Sequence, residues 1–376
     1  MVLLFYLIFL LICYIYLFYP LILFFIGLFN KNNIKSSQET CKLKVSVLIP
    51  AFNEELGIKN KIKNLVKQDY PKNKLEIIIA SDGSHDRTVI FAKSFRDDRI
   101  KILDSQNRRG KNAVLNDAVK MTSGDILIFT DANAHFKKDS VKQLVDPFID
   151  PKVGLVCGHL KYIKKSEDNV AEGEGLYFRY EAFIKNLESE LGVLPVVTGA
   201  IYAIRRDLFT ELENEVANDF AHPLQVGAEG YKVVFASDAI AFEKATESNR
   251  EEFWRRVRIV NRGFTAIFKY WGKYNIYRGL RGFTYLSHKL LRWFVPLYLL
   301  SFFIINLFLL DAVFFKITFL IQVIFYLLAI LGIFLKGKLF AIPFYFCLIN
   351  IAALLGFLHF LFGKRFSIWE IANSTR

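Results

Sequence analysis

Apolar residues fill both ends of this chain and leave its charges to the middle, which restricts it to folds that join a water-facing domain to membrane-crossing helices. Residues 1–29 run almost without a polar side chain, interrupted by Pro20, and Lys31 and Lys35 follow. That stretch exceeds the apolar region of a secretory signal and lacks a basic start or a small-residue cleavage site. It reads as a transmembrane anchor with its C-terminal end in the cytoplasm. Residues 289–363 hold three further runs, Leu290–Leu310, Ala312–Leu335 and Leu339–Phe362, separated by Asp311 and by Lys336-Gly337-Lys338. Each is near the roughly 20 residues a helix needs to cross a bilayer. Between the ends, 30–43 reads as a polar linker, 44–263 as a single domain, and 264–288 as an aromatic, basic segment lying along the membrane surface. Residues 364–376 form a tail. Four spans would place Lys364 and Arg365 outside, against the positive-inside tendency, so a re-entrant or interfacial course for one of them is the alternative.

Charge and cysteine content narrow the partners. The net charge of +13 raises the question of nucleic acid. No zinc-finger spacing or RNP-type aromatic motif accompanies it, and the basic runs 31–35 and 254–258 suit anionic headgroups. Membrane lipids are the expected partner and nucleic acid is not. Cys13, Cys41, Cys157 and Cys347 are scattered, with neither metal-ligand spacing nor a disulfide framework, as suits a reducing compartment.

In the middle, apolar runs alternate with helical periodicity. Residues 44–49 form a strand closed by 50–54, and Ile58, Ile62, Leu65 and Val66 give helical spacing to 55–68, which Pro71 stops. A strand at 75–80, a helix at 88–95 and a strand at 100–103 follow. Then come the basic turn 108–111, a helix through Ala118 and a strand at 126–129. This alternation predicts an α/β fold with a doubly wound parallel sheet and right-handed crossovers. Further on, strands are expected at 153–158, 196–204 and 231–236, and helices at 171–191 and 250–262.

Polar residues cluster where the strands end: Asn53 and Glu54, then Asp82, then Asp131 and Asn133. In a doubly wound sheet these ends converge on one crevice, where a nucleotide binds. Lys111 sits in a Gly-containing loop nearby, as a point charge for a diphosphate. Strand periodicity puts Asp131 and Asn133 on one side, so both oxygens could reach a hard cation, although an isolated Asp-x-Asn is more often a turn. No P-loop or Gly-x-Gly-x-x-Gly sequence is present, which argues against a P-loop nucleotidase or a dinucleotide oxidoreductase.

Taken together, these residues resemble the family 2 glycosyltransferases over about Lys44–Gly263, and the apolar flanks resemble the membrane-bound branch of that family. The resemblance implies a GT-A-like nucleotide-binding sheet and an inverting enzyme. Residues 45–54 look like the opening strand and turn, so Pro50, Ala51, Asn53 and Glu54 would meet the nucleotide-sugar. Ser81-Asp82-Gly83-Ser84 looks like the element that holds the base through Asp82. Arg109-Gly110-Lys111, with Asn116, resembles the loop beside the diphosphate. Asp131-Ala132-Asn133 stands where the family carries Asp-x-Asp, so Asp131 and Asn133 would hold Mn²⁺ or Mg²⁺. Thr198-Gly199-Ala200 resembles the segment flanking the acceptor, and Asn218-Asp219 the pair whose Asp219 is the catalytic base.

Two departures stand out. Asn133 removes one negative charge from the metal site. The Gln-x-x-Arg-Trp of processive members is missing near Arg256, Arg258 and Arg262, which remain as phosphate contacts or as headgroup contacts. The implied activity is transfer from a UDP- or GDP-sugar to a lipid-linked or polysaccharide hydroxyl by one displacement, without strong processivity. The competing readings are a nucleotidyltransferase and a membrane scaffold with a degenerate domain. For single residues, Asp219 could also cap a helix, His222 reads as a core or surface residue, and Tyr177 and Glu181 as packing.

Overall fold

The computed structural model describes residues 1–29, 42–163, 169–245, 248–275 and 278–366. Most of the expected linker, with Cys41, and most of the tail lie outside the described residues. Eight strands form one sheet: β1 (Val45–Ala51), β2 (Leu75–Asp82), β3 (Ile100–Ser105), β4 (Ile126–Phe129), β5 (His135–Phe136), β6 (Val153–Ile163), β7 (Tyr202–Arg205) and β8 (Lys232–Lys244). Their order is β3-β2-β1-β4-β7-β6-β8-β5.

The half from β3 to β4 is parallel throughout, as the alternation predicts. All seven positions of β1 are buried because both faces are covered. Val47 and Ile49 point into one apolar layer and Leu48 into the other, the period-two division of a strand. The other half departs from a purely parallel sheet: β7 runs antiparallel to β4 and β6, β5 runs antiparallel to β8, and β6 and β8 are parallel. The strand expected at 196–204 shrinks to β7. Its first residues leave the ladder because Val197 N–H donates to the carbonyl of Asp219 instead.

The chain begins with α1 (Val2–Cys13), a π turn (Tyr14–Phe18) and α2 (Tyr19–Phe29), together long and apolar enough to cross a membrane. The helices of the sheet domain are α3 (Ile58–Val66), α4 (Thr88–Lys93), α5 (Lys111–Lys120), α6 (Ser140–Val145), α7 (Asn169–Glu190), α8 (Asn218–Ala228) and α9 (Asn249–Tyr270). Then follow α10 (Gly279–Tyr285), a second π turn (Leu286–Leu290), α11 (Leu291–Trp293), α12 (Val295–Leu307), α13 (Val313–Leu331) and α14 (Lys338–Leu361).

Of the three expected C-terminal spans, α13 and α14 are single helices of sufficient length. The other, expected at Leu290–Leu310, is the end of a pair bent by 57°. Pro296 in the first turn of α12 has no N–H to carry the hydrogen-bond ladder across the bend. The segment expected to lie on the membrane surface, 264–288, is also divided. Phe264 ends up fully buried in α9, with its ring 4.9 Å from Trp293 and 5.0 Å from Phe357.

Candidate active site

The ends of β1 and β2 are tied to each other before they reach the crevice. Pro50 and Ala51 are buried strand residues in register with Ala80 and Ser81, so they shape the wall. Asn53 adopts a φ of 50°, a left-handed turn conformation that Asn tolerates. Its Oδ1 accepts from His85 N–H at 2.9 Å, and its own N–H donates to Ser84 Oγ at 3.1 Å. Glu54 is almost fully buried, donates its N–H to Thr88 Oγ1 at 2.7 Å, and lines the cavity.

Asp82 binds protein first. Its two oxygens accept from the backbone N–H groups of Arg109 (2.7 Å) and Gly110 (2.9 Å), so the carboxylate clamps the basic loop. Gly110 has a φ of 103°, and a Cβ there would meet the Asn214 side chain at 2.7 Å; only glycine lets the loop approach this closely. The clamp delivers Lys111 to the start of α5, with Nζ 2.5 Å from Asp131 Oδ1.

Asp131 and Asn133 lie past the end of β4, in a turn, so their placement follows from turn geometry rather than from strand alternation. Lys61 of α3 holds that turn from behind. Fully buried, it donates to Thr130 Oγ1 at 2.7 Å and to the Ala134 carbonyl. Burial pushes its pKa down to about 7, against the pull of Asp131 and Glu243. In front, Asn133 donates its amide to Glu243 Oε1 at 2.9 Å. Burial pushes the Glu243 carboxyl up to about 7, with Arg255 working in the opposite sense. Sequence reasoning missed both residues. Lys61 carried a signal, since it interrupts the apolar stripe of Ile58, Ile62 and Leu65; Glu243 arrives from a strand 110 residues away with none.

Asp219 stands in the first turn of α8 but does not cap it. No side chain caps this helix, and Asn218 Oδ1 accepts from Asp219 N–H at 3.0 Å, which leaves the Asp219 carboxylate to the cavity. Burial raises this carboxyl above the ordinary range, although Arg262 and Lys111 lower it. Gly199 leaves the carboxylate open on one side, since a Cβ there would sit 3.8 Å from Asp219 Oδ2. Thr198 beside it accepts from Lys185 Nζ at 2.9 Å. His222 is a core residue, 3.0 Å from the Tyr202 hydroxyl and held neutral by burial at a pKa of about 4.

Glu54, Lys111, Asp131, Asn133, Asp219 and Glu243 therefore line one cavity of about 590 Å³, which also receives Thr198 and Gly199. The sequence model of glycosyl transferase family 2 matches residues 46–213, which supply about half of this wall and stop short of Asp219 and Glu243. Residues 46–213 form a family 2 glycosyltransferase domain.

The probable glycosyltransferase YdaM of Bacillus subtilis is 30% identical over 241 residues, 60% of this chain and 57% of that protein. The β-monoglucosyldiacylglycerol synthase of a Nostoc species is 30% identical over 166 residues, 43% of this chain and 36% of that protein. The chain thus spans little more than half of the first relative and about a third of the second. Among solved structures, the mannosyltransferase PcManGT of Pyrobaculum calidifontis, in complex with GDP-Man and Mn²⁺, superposes with a TM-score of 0.71 at 19% identity. That match covers 96% of this chain and 99% of the other, and it shows the GT-A-like fold.

Three arginines of α9, beyond the matched residues, have different surroundings. Arg256 lines the cavity too; its Nε is bound by Glu252 at 2.7 Å and its Nη2 donates to the Tyr345 hydroxyl at 2.8 Å, which ties α14 to the domain. Arg258 lines the cavity. Arg262 donates to the carbonyls of Asn214 (3.1 Å) and Val216 (2.7 Å), holding the loop before α8, while its Nε has no partner.

Among the described residues no three His, Cys, Asp or Glu side chains converge as a metal-binding group. Asp131, Asn133 and Glu243 nonetheless present hard oxygen donors to the cavity, the chemistry that suits a Mg²⁺ or Mn²⁺ held by one or two carboxylates and completed by substrate phosphates.

Proposed function

We propose that this protein is a membrane-bound, inverting glycosyltransferase that moves a sugar from a UDP- or GDP-sugar to a hydroxyl of a lipid-linked or polysaccharide acceptor. The observation that carries the reading is the sharing of one cavity by Asp219, an uncapped carboxylate with a raised pKa, and the Lys111–Asp131 pair. A base with a pKa raised toward neutrality is better matched to taking a proton from a hydroxyl. One such base suits a single displacement, which turns an α-linked donor into a β-linked product.

Each residue has its task in this reading. The clamped loop brings Lys111 and the N-terminus of α5 to the diphosphate, where the cation favours negative charge. Lys61 holds the Asp131 turn in place. Asp131 would hold the divalent cation with Asn133 and Glu243, and the cation, when bound, supplies Lewis-acid stabilisation of the leaving diphosphate. Asp219 takes the acceptor proton from the side left open by Gly199. The absence of Gln-x-x-Arg-Trp and the internal anchoring of Arg256 favour single additions over long polymerisation. The apolar helices favour a multi-pass protein of the cell membrane with this domain on the cytoplasmic side. PcManGT, which has the same fold, was solved with a nucleotide-sugar and Mn²⁺, and this supports the choice of donor class and cation.

The test is release of nucleoside diphosphate from a panel of nucleotide-sugars by the full chain in membranes, with and without Mn²⁺ or Mg²⁺, beside Asp219→Asn. Release with one donor, dependent on the cation and lost in the variant, is the expected result. Absence of donor binding overturns the reading, and a retained anomeric configuration in the product, read by NMR, overturns the inverting mechanism.

A further inference from the structure

The catalytic cavity does not end at the sheet. Beyond Asp219 it continues to Lys185 on α7, to Lys289 and Arg292 near the second π turn, to Tyr16 in the first π turn, and to Ile342, Phe346 and Ile349 on α14. Part of its wall is thus built from helices apolar enough to lie in a membrane, and Lys185, Lys289 and Arg292 form a cationic rim around the Glu181 carboxylate in the same cavity. π turns are rare and recur at functional sites. Here the first lies in an apolar helix, the second in the first arm of the bent helix pair, and each contributes a residue to this cavity.

Arg292 is the group in that rim without enough partners. Its side chain is 9% exposed, and Nη1 donates to Glu181, which also receives Lys289 at 3.2 Å. Its Nε and Nη2 are buried with no partner. Buried donors are nearly always satisfied, so an unmet pair asks for an acceptor. Nε and Nη2 form the side of the guanidinium whose two N–H groups run parallel, the fork that meets phosphate in a bidentate way. The Tyr16 and Tyr180 rings, 5.7 and 5.4 Å from the guanidinium, fix its plane. Tyr180 is itself held by the Tyr16 carbonyl at 2.7 Å.

The rim is coupled to the base through short contacts. Lys185 donates to Thr198, whose neighbour Gly199 lies against Asp219, and Trp293, next to Arg292, packs its ring 5.4 Å from Phe220, next to Asp219. A water-soluble glycan offers nothing to the apolar wall of α14. An amphiphile with a phosphate matches all three zones.

We propose that the acceptor is a membrane lipid bearing both a phosphate and a free hydroxyl in its head group, and that the Nε–Nη2 fork of Arg292 seats that phosphate. The proposal rests on the transferase reading above and specifies its acceptor. The acyl or polyprenyl chain lies along Ile342, Phe346 and Ile349, and the head-group hydroxyl reaches Asp219. In the transfer the hydroxyl O–H bond breaks and its proton goes to the Asp219 carboxylate. The oxygen forms the new bond to the anomeric carbon as the old carbon–oxygen bond breaks, and that electron pair leaves on the nucleoside diphosphate.

The experiment reconstitutes the full chain into phosphatidylcholine vesicles carrying one of four hydroxyl-bearing lipids. Phosphatidylglycerol and a polyprenyl diphosphate-linked N-acetylglucosamine carry phosphate; diacylglycerol and glucosyldiacylglycerol do not. Labelled sugar in the lipid extract is the readout, and donor binding is measured separately, so that loss of donor binding reports failure of the transferase reading and not of the acceptor assignment alone. The expected result is transfer to one or both phosphate-bearing lipids, with at least about tenfold less to the neutral pair. Arg292→Gln is expected to raise the lipid KM by about tenfold while the donor KM stays unchanged, and Arg292→Lys to recover part of that loss. Equal transfer to the neutral lipids, transfer only to a soluble oligosaccharide, or intact donor binding with no lipid product overturns the proposal. So does an unchanged lipid KM in Arg292→Gln. If that variant does not fold, the comparison of four lipids with the wild-type chain decides alone.

Discussion

The amide of Asn133 donates to Glu243 Oε1 at 2.9 Å, so a carboxylate from β8 stands beside the turn where the second acid of an Asp-x-Asp would have been. Restoring that acid with Asn133→Asp replaces a donor by a charge next to Asp131 and Glu243. It is expected to tighten Mn²⁺ binding in the presence of nucleoside diphosphate by roughly 3–10-fold, because added carboxylate charge raises affinity for a hard cation. Glu243→Gln is expected to weaken it. Calorimetric titration of Mn²⁺ checks both, and no change in Glu243→Gln would remove Glu243 from the cation's surroundings.

Asp219 titrates above the ordinary carboxylate range because it is buried, with Arg262 and Lys111 partly opposing the rise. A base works only when ionised, so kcat/KM is expected to rise with pH through that elevated pKa. In Arg262→Gln one opposing cation is gone, and the acid limb of the pH–rate profile is expected to move to higher pH. A limb at the position of an ordinary carboxylate would contradict the assignment. Asp219→Asn is expected to lower kcat by about 10²–10⁴-fold with donor affinity retained.

Lys61 has a folded pKa lowered by burial to about 7 from the ordinary lysine value of 10.5. Between those values the unfolded chain binds the proton that the folded chain has lost. This group therefore makes stability rise with pH across that window and adds no slope below about 7. Lys61→Met is expected to flatten that rise. Thermal unfolding of both chains in detergent at about pH 7 and about pH 9.5 measures it.

Asp82→Ala leaves the half-buried N–H of Arg109 and the buried N–H of Gly110 without an acceptor, the latter costing about 1–3 kcal/mol if the loop stays in place. The loop is expected to move instead and carry Lys111 from the diphosphate. The donor KM should rise by about tenfold with a smaller effect on kcat, since a displaced positioning group weakens binding before it alters the chemical step. Steady-state kinetics with saturating acceptor would show it, and an unaltered donor KM would mean that the clamp does not position Lys111.

The parallel half of the sheet, the turns at its strand ends and the apolar flanks could all be read from residue order. They rest on local periodicity and on residues that break it: Pro71 after α3, the glycine in 108–111, the charges at Asp311 and Lys336. These signals act over a few residues, so they survive without knowledge of the fold. Burial of β4 on both faces likewise follows from its uninterrupted apolar run, Ile126–Phe129.

Other features depend on segments that meet only when the chain is folded. Glu243 reaches Asn133 across 110 positions, and Arg292 reaches Glu181 across 111. Neither contact leaves a periodic trace. The reversal of β7, the burial of Phe264 and the commitment of Arg256 to Glu252 were decided by competition for partners. Val197 gave its N–H to α8, Trp293 covered Phe264, and the buried Glu252 carboxylate took both Arg255 and Arg256. Local chemistry named the groups able to bind a diphosphate or accept a proton. Which of them stayed available was settled by burial, since in a low-dielectric interior each charge takes whatever partner the fold brings within reach.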